Sequence, residues 1–386
     1  MNLPKTPFYY YNITLLERTL QTIRDVTQED SQFCVHYAVK ANNNPLILQT
    51  VAKKGFGADC VSGGEIKQAV AAGIPADKIV FAGVGKTDDE IDFALQQGIG
   101  CFNVESMPEL RVINERALAL GKIANIAFRV NPNIDAHTHQ KITTGLNENK
   151  FGITIPQLIR SIKEAEKLEG VKFCGLHFHI GSQITDVETF KPLCECVNEL
   201  QTLMEENNIW APSINVGGGL GIDYKHPKQH PLPDFEAYFK IFRENLFIRP
   251  GQTLHFELGR SIVAQCGTLV SKVLYVKEGV EKKFIILDAG FTDMARVAMY
   301  DAYHDIENLT PETQTQQYYD VVGPICESSD VFAQHRLLHV TKRGDIFALR
   351  SAGAYGEVMS SKYNSRELAK PYSTQDFDLD AILKEQ

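Results

Sequence analysis

Short β-prone runs alternate with longer amphipathic segments along the first two-thirds of the chain. The segments between the β-prone runs show helical spacing of apolar positions, at residues 45–54, 64–72, 88–97, 108–120, 156–168, 187–207 and 234–245. A crossover helix returns the chain to the same end of a sheet, so the strands are expected to be parallel. Eight of them predict a (β/α)8 barrel, with a doubly wound open sheet as the alternative. The eight runs lie near residues 33–40, 58–62, 79–83, 100–105, 125–131, 172–181, 213–217 and 253–257.

The pattern changes after about residue 262. Little helical spacing separates the later β-prone runs, which predicts a second, mostly antiparallel β domain. The aromatic segment 8–11 is also β-prone and is expected to add a strand to that domain. The predicted α/β organisation is therefore a barrel at residues 30–262 and a β domain formed by residues 1–29 and 263–386. The later runs lie at residues 268–277, 283–288, 318–322 and 345–350, and a short helix is expected near 377–383.

Composition describes an ordinary globular protein, with 386 residues, 44% hydrophobic and 23% charged. That length favours two domains, since single cores usually stop growing before it. The formal net charge of −9 disfavours nucleic acid and anionic membranes as partners, because both select basic surfaces. Neither a signal peptide nor a membrane span is visible, so we expect a cytoplasmic location. The eight cysteines form no CxxC pair, which argues against a zinc ribbon and a disulfide framework.

Unusual residues collect at the carboxyl ends of the predicted barrel strands, where barrel enzymes hold their chemistry. Lys40 ends the first strand, and a partly desolvated lysine suits imine chemistry. The alternative is a lysine whose ammonium simply reaches solvent. Glu257 ends the eighth strand, just before Arg260. This acid could keep a pyridine nitrogen protonated, or it could pair with Arg260.

Two further patterns lie on the same predicted rim. Gly217–Gly219 follow the seventh strand, where their backbone amides could bind a phosphate, unless they form only a flexible turn. His177 and His179 would share one face of the sixth strand. They could bind a metal, stack on a flat cofactor, or be core histidines. No further ligands are seen at the other strand ends, so no metal site is predicted.

Ten short stretches, spread over nearly the whole chain, form one recognisable set. They are YAVKAN (37–42), DCVSGGE (59–65), RVNPNIDAHTH (129–139), TGLNENKFGI (144–153), GLHFHIGSQI (175–184), NVGGGLG (215–221), ELGRSIVA (257–264), DAGFTDMARVAMYDAYH (288–304), VVGPICESSDVF (321–332) and GAYGEVMSSKYNSR (353–366). With them the chain resembles the fold-type III pyridoxal-phosphate decarboxylases, and most closely the diaminopimelate decarboxylase family. That family has a (β/α)8 barrel and a β domain. One departure is Leu258, which stands where most members have proline.

The resemblance implies a role for each matching residue. Lys40 would carry pyridoxal 5'-phosphate as a Schiff base with Asp59 nearby, His179 would stack on the ring, and Glu257 would face the pyridine nitrogen. Cys326 is the candidate proton donor. The phosphate would be held by Ser182, Gly218, Gly219, Gly259 and Tyr355, and Arg260 completes the cofactor-binding residues. The distal end of the substrate would be bound by Arg260, Arg296, Tyr300, Glu327 and Tyr355.

The function implied by the resemblance is decarboxylation of meso-2,6-diaminopimelate to L-lysine and CO2, the last step of lysine biosynthesis. In this family Cys326 and Glu327 would reach the partner subunit's active site, which implies a homodimer with shared sites. Arginines that bind a second carboxylate favour such a diacid. The alternatives are a sister decarboxylase for a basic amino acid or a carboxylated polyamine, and a non-catalytic pyridoxal-phosphate carrier. A metal hydrolase is the least favoured.

Overall fold

The structure is a computed structural model that describes residues 3–134 and 150–384. Contacts within the chain divide these residues into two compact units. The barrel unit comprises residues 20–134, 150–221 and 234–259, and the β unit comprises residues 3–19, 222–233 and 260–384. The domains predicted from the sequence, residues 30–262 and residues 1–29 with 263–386, remain a prediction about which parts of the chain fold independently.

Eight parallel strands form the barrel unit's sheet. The first strand pairs with the eighth, and the fourth pairs with the fifth, so the sheet closes on itself. This closure confirms the predicted (β/α)8 barrel and excludes the open sheet. The strands are Phe33–Ala38, Gly57–Cys60, Ile79–Phe81, Cys101–Val104, Ala124–Asn131, Val171–His177, Ser213–Asn215 and Thr253–Leu258, and the short strand Ile153–Thr154 pairs with the fifth.

Helices follow most of the barrel strands, and polar residues fix where several of them begin. The side chains of Asn44, Ser62, Ser106 and Asp234 each accept a backbone amide of the first helical turn, and Thr87 forms a capping box. Within residues 3–134 and 150–384, no helix is both long and apolar enough to cross a membrane. The helices are Ile13–Thr27, Pro45–Lys53, Gly63–Ala71, Asp88–Gln97, Met107–Ala119, Leu158–Ala165, Lys191–Glu206 and Phe235–Asn245, with 3-10 turns at Val39–Ala41, Ala76–Lys78, Ile155–Gln157 and Val187–Phe190.

The β unit is mostly antiparallel, as the sequence predicted. Its long strand Gly267–Glu278 pairs antiparallel with Phe8–Tyr11, Lys283–Leu287 and Ile346–Leu349. The other strands are Ile306–Asn308, Gln316–Val322, Val331–His339 and Lys370–Ser373. The helices are Arg260–Val263, Arg296–Tyr300 and Leu379–Lys384, with 3-10 turns at Glu357–Met359 and Tyr363–Ser365. A buried apolar cluster packs the terminal helix against the sheet through Phe8, Tyr10, Val270, Ile346, Phe377, Leu379 and Ile382.

Aromatic packing anchors the last barrel strand to the helix that precedes it. The ring of Phe256 lies 4.9 Å from that of Phe239 and 5.2 Å from that of Phe242, measured between ring centroids. Successive strand residues point to opposite faces, so the neighbouring His255 and Glu257 point into the barrel. The outward aromatic contacts therefore help to fix the direction of the inward acid.

We expect Phe256→Ala to lower the free energy of unfolding by about 3–5 kcal/mol, because it removes a fully buried ring and leaves a cavity. The matched control is Phe247→Ala, since the Phe247 residue is 68% exposed and its substitution should change the free energy by no more than about 0.5 kcal/mol. Urea unfolding followed by circular dichroism measures both. Equal losses in the two variants would contradict this account of the packing.

Candidate active site

Glu257 is a buried acid at the end of the eighth barrel strand. Its Oε1 accepts hydrogen bonds from the side-chain amides of Asn215 at 2.7 Å and Asn103 at 3.2 Å, and its Oε2 lies 3.0 Å from Nε2 of His177. Burial favours the neutral acid, but the adjacent His177 ring outweighs it, so the pKa of Glu257 lies below its ordinary value. Glu257 is therefore a carboxylate at neutral pH. It is bound by the side chains of Asn103, His177 and Asn215, whereas the sequence also allowed an ion pair with Arg260.

Lys40 lies in the 3-10 turn Val39–Ala41, directly after the first strand. Its Nζ donates to Oδ2 of Asp59 at 2.9 Å, and its side chain is 37% exposed. Asp59 is fully buried, and its Oδ1 has no hydrogen-bond partner in the described part of the chain. Burial and the charge of Glu257 raise the pKa of Asp59. Lys40 is therefore an accessible amine held by a buried acid, which goes beyond a lysine that merely reaches solvent.

The predicted placement of His177 and His179 on one continuous strand is wrong, because the strand ends at His177. Its neighbour strand ends at Asn215, and after one more hydrogen bond, from the Phe178 amide to the Asn215 carbonyl, the strand pairing stops. His179 instead accepts a hydrogen bond at Nδ1 from the Gly218 amide at 3.3 Å. Burial, and then the positive charge of Lys40, lower its pKa well below the ordinary value. The His179 ring is therefore neutral and its proton lies on Nε2.

The glycine turn after the seventh strand lets the backbone of neighbouring strand ends approach closely. A Cβ on Gly218 would lie 2.0 Å from the carbonyl oxygen of Glu257, and one on Gly217 would lie 2.2 Å from that of Phe178. Gly219 has a φ of +115°, and a Cβ there would lie 2.8 Å from the carbonyl oxygen of Gly181, the residue before Ser182. The turn is therefore tightly packed rather than flexible, and it brings Gly218 and Gly219 beside His179 and the Ser182 segment.

Gly259 follows the eighth strand and packs against the turn that carries Lys40. A Cβ added to Gly259 would lie 3.1 Å from the Cβ atoms of Ala38 and Ala41. Leu258, at the position where the family usually has proline, is the last residue of the strand and is fully buried. The close packing around Gly259 is therefore kept with leucine at this position.

A second group of site residues lies in the β unit, around two buried arginines. Arg260 donates from Nη1 to the Tyr224 hydroxyl at 2.7 Å, and its guanidinium lies 4.9 Å from the ring centroid of Tyr355. The Arg296 guanidinium lies 5.0 Å from the ring centroid of Tyr224. Burial raises the pKa of the Tyr224 hydroxyl, but the charges of both arginines outweigh this and lower it. The cluster thus concentrates positive charge around one phenol.

His304 fixes the position of Arg296. The fully buried ring accepts at Nε2 from Nη1 of Arg296 at 3.0 Å and donates at Nδ1 to the Arg350 carbonyl at 2.8 Å. Burial, and then the charge of Arg296, lower the pKa of His304 to about 3. The neutral imidazole therefore acts as an acceptor that orients the guanidinium. Arg296 forms no ion pair with any carboxylate in residues 3–134 and 150–384.

Cys326 and Glu327 lie on an exposed turn of the β unit. The Cys326 amide donates to Oδ1 of Asn364 at 3.4 Å, and Glu327 accepts from the Tyr363 hydroxyl at 2.6 Å. A free cysteine is most often buried, but the structure leaves Cys326 exposed. In the described part of the chain, the structure does not bring either residue into contact with the arginine cluster.

Three comparisons with known proteins bear on this site. The family model described as "Pyridoxal-dependent decarboxylase, pyridoxal binding domain" matches residues 15–264. A diaminopimelate decarboxylase of Bacteroides thetaiotaomicron is 59% identical over 372 residues, which covers 96% of each chain. The chain belongs to the diaminopimelate decarboxylase family.

Solved structures agree with this family. The diaminopimelate decarboxylase of Helicobacter pylori, complexed with L-lysine, superposes with a TM-score of 0.90 at 38% identity, over 97% of this chain and 92% of that one. A lysine/ornithine decarboxylase from Vibrio vulnificus, complexed with putrescine, has a TM-score of 0.83 at 22% identity, over 96% of this chain and 95% of that one, and so shares the fold. Of the stretches that first indicated the resemblance, residues 135–139 and 144–149 lie outside the described residues.

The residues of the barrel unit fit the family's cofactor, pyridoxal 5'-phosphate. Lys40 supplies an accessible amine, and the buried Oδ1 of Asp59 retains an unused acceptor next to it. Glu257 supplies an ionised carboxylate, and His179 supplies a neutral, flat ring. An amine, an anion and a neutral ring are the groups that this cofactor's aldehyde, ring nitrogen and aromatic face require.

Sequence reasoning missed Tyr224 and His304. Tyr224 follows the seventh strand by nine residues and carries no motif of its own. His304 ends the matching stretch 288–304, which was the one available signal. Both residues contact the arginines expected to bind substrate, so their roles depend on packing that spacing does not reveal.

We expect Gly218→Ala to destabilise the protein by about 1–3 kcal/mol or more, because the added Cβ must displace the Glu257 backbone. The matched control is Gly85→Ala, since a Cβ at Gly85 meets no atom within 4 Å. Urea unfolding measures the stability, and absorbance of bound cofactor measures the effect on the site. A variant with parental stability and cofactor content would show that this close approach is not required.

Proposed function

We propose that this chain is a pyridoxal-phosphate-dependent carboxy-lyase that converts meso-2,6-diaminopimelate to L-lysine and CO2. The observation that carries the proposal is the buried Arg296, positioned by His304 and without a carboxylate partner in the described part of the chain. A buried cation without an anion is costly, so the site favours a ligand that brings one. The distal carboxylate of diaminopimelate is such a group. The identity to diaminopimelate decarboxylases supports the same conclusion.

Residues of the barrel unit would hold the cofactor. Lys40 would hold it covalently through Nζ, Glu257 would accept a hydrogen bond from the ring nitrogen and so keep that nitrogen protonated, and His179 would lie against the ring. Within this unit, Ser182, Gly218, Gly219 and Gly259 would hold the phosphate, a role that the resemblance also gives to Tyr355 of the β unit. Pyridoxal phosphate, when bound, supplies a conjugated system that takes up the electron pair left when CO2 departs.

The β unit would select the substrate and return a proton. Arg260 and Arg296 bind the distal carboxylate, and Tyr300 and Glu327 bind near the distal ammonium. The thiol of Cys326 then donates a proton to the carbon that has lost its carboxylate. Arg260 immediately follows Gly259 in the sequence, so cofactor-binding and substrate-binding residues adjoin along the chain.

The alternative is a sister decarboxylase that acts on a basic amino acid or a carboxylated polyamine. The fold shared with the lysine/ornithine decarboxylase is compatible with it. The substrate of such an enzyme has no distal carboxylate to pair with the buried Arg296, which has no carboxylate partner in the described part of the chain, so this arginine favours the diacid. The cytoplasmic location predicted from the sequence stays a prediction.

The proposal is tested by product analysis. The purified chain with pyridoxal phosphate should release lysine and CO2 from meso-diaminopimelate, with a kcat/KM at least about 100-fold above those for lysine and ornithine. A ratio of 100 corresponds to roughly 2.8 kcal/mol, since each ~1.4 kcal/mol is a factor of ten, and this lies within the roughly 2–5 kcal/mol that an unpaired buried charge costs. Lys40→Ala should abolish turnover and the visible absorbance of bound cofactor. Comparable constants for lysine and the diacid would favour the sister decarboxylase.

We expect Arg296→Ala to reduce kcat/KM for meso-diaminopimelate by about 30-fold or more, because roughly 2 kcal/mol or more of charge pairing is lost. The constant for lysine should change little, so the preference should shrink. Arg343→Ala is the matched control: the Arg343 guanidinium lies over the exposed Tyr275 ring, away from the cluster. A uniform loss for all substrates would point to misfolding rather than specificity.

The exposed Cys326–Glu327 turn supports a proposal about the assembly. We propose a homodimer in which this turn completes the partner's site, since these two residues contact neither arginine of the cluster in the described part of the chain. Exposure leaves the thiol available to a second subunit.

Mixing and refolding inactive Lys40→Ala with inactive Cys326→Ala should then restore activity. Random pairing makes half of the dimers mixed, with one intact site of two, so about a quarter of the parental activity is expected. As a negative control, mixing Lys40→Ala with a variant that carries both Lys40→Ala and Cys326→Ala should restore no activity. If subunits exchange and no activity returns, each site is built from a single chain.

A further inference from the structure

A cluster of side chains that could bind a metal ion lies in the β unit, within residues 222–233. Oδ2 of Asp223 lies 2.8 Å from Nδ1 of His230 and 3.2 Å from Nδ1 of His226, and the three atoms all lie within 4.8 Å of one another. It is the only such group that residues 3–134 and 150–384 contain. The imidazoles are more than half exposed, so solvent reaches the cluster. None of the three residues belongs to the proposed catalytic machinery.

Backbone contacts orient these side chains. Oδ1 of Asp223 accepts the amides of Lys225 at 2.8 Å and His226 at 3.0 Å, so Oδ2 is left to face the imidazoles. The His226 carbonyl accepts the His230 amide at 3.0 Å, which closes a turn and brings the two rings to the same side. The Gln265 side chain donates to the His230 carbonyl.

The sequence of this loop restricts its motion further. Each histidine directly precedes a proline, Pro227 or Pro231, and the residue before a proline has a narrowed backbone choice. Lys228, between the two histidines, is ion-paired with Glu307. Its positive charge is therefore paired with Glu307 and not with Asp223. The loop thus holds the three ligand side chains partly in place before a metal binds.

We propose that Asp223, His226 and His230 form a zinc-binding site. Zinc binds imidazole nitrogen and carboxylate oxygen at about 2.0–2.2 Å, so two ligands at the tetrahedral angle are about 3.3–3.5 Å apart. The observed separations of 2.8 and 3.2 Å from Oδ2 need only a small expansion. Two histidines four residues apart match a common zinc spacing, and exposure leaves the fourth position to water. Each ring then binds through Nδ1 and carries its proton on Nε2.

The consequence of zinc binding is structural. The ion joins Asp223 to the turn at His226–His230, and so restrains the residue between them, Tyr224, whose hydroxyl accepts from Arg260. Zinc that binds only the folded state raises the melting temperature by mass action. The sequence itself contains this ligand pattern as Asp-x2-His-x3-His at residues 223–230. The prediction of no metal site considered only the ends of the barrel strands, and this pattern lies outside them.

The experiment is a zinc titration of the metal-free holoenzyme, with a chromophoric chelator as competitor and X-ray absorption at the zinc edge. We expect one zinc per chain, with nitrogen and oxygen ligands, and a higher melting temperature with zinc than without it. In His226→Asn and His230→Asn, the dissociation constant should rise at least about tenfold, as loss of a direct ligand should cost no less than loss of a supporting one. Asp223→Asn tests the carboxylate while it keeps the backbone contacts of Oδ1.

The matched control is His335→Asn, because His335 is an exposed imidazole of the same unit that stacks on Tyr318. The His335→Asn variant should bind zinc with the same affinity as the parental protein. Melting curves of the metal-free variants check that each is folded. Sulfur ligands at the zinc edge, binding that the three cluster variants leave unchanged, or no binding by the folded parent would each overturn the proposal.

Discussion

The ionised carboxylate of Glu257 is the constraint on which the barrel site depends. A charge in a protein interior is tolerated only with partners that replace its lost water. Glu257 obtains them from Asn103, His177 and Asn215, which lie on three other strands. Asn103 lies on the fourth strand, across the barrel from the eighth, and reaches the acid only when the sheet closes, so barrel closure and the ionised state of Glu257 support each other. Burial, and then the charge of this same acid, raise the pKa of Asp59, the partner of Lys40.

Steric constraints extend from the same strand end. The Glu257 carbonyl leaves no room for a side chain at Gly218, and the Gly218 amide in turn donates to His179. The position of the neutral ring is thus coupled to that of the acid through one backbone contact. Gly259 likewise packs closely against the turn that carries Lys40, so a side chain at this position would crowd that turn. The glycines of this rim are required first by packing, and any use of their amides for a phosphate comes in addition.

The fold was largely predictable, whereas the contacts of the site were predictable only in part. Alternating periods of two and 3.6 residues specify strand–helix units, and eight such units can close, so the barrel followed from local pattern. The prediction placed His179 on the sixth strand, but that strand ends at His177. Where a strand ends depends on where its neighbour ends, here at Asn215, and local sequence does not specify this tertiary pairing. Tyr224 and His304 were missed since a residue that orients another has no spacing rule of its own.

Charge explains why this chain needs a local solution for an anionic ligand. With a formal net charge of −9, the protein gains no long-range attraction for a diacid. Arg260 and Arg296 are instead buried among tyrosine rings and the neutral His304, which donate or accept without adding negative charge. The two cations together outweigh burial and lower the pKa of Tyr224, while burial, and then the charge of Arg260, lower the pKa of Arg296. Arg296 forms no ion pair with a carboxylate in the described part of the chain, so the cluster favours a ligand that brings a carboxylate and disfavours one that brings only an ammonium.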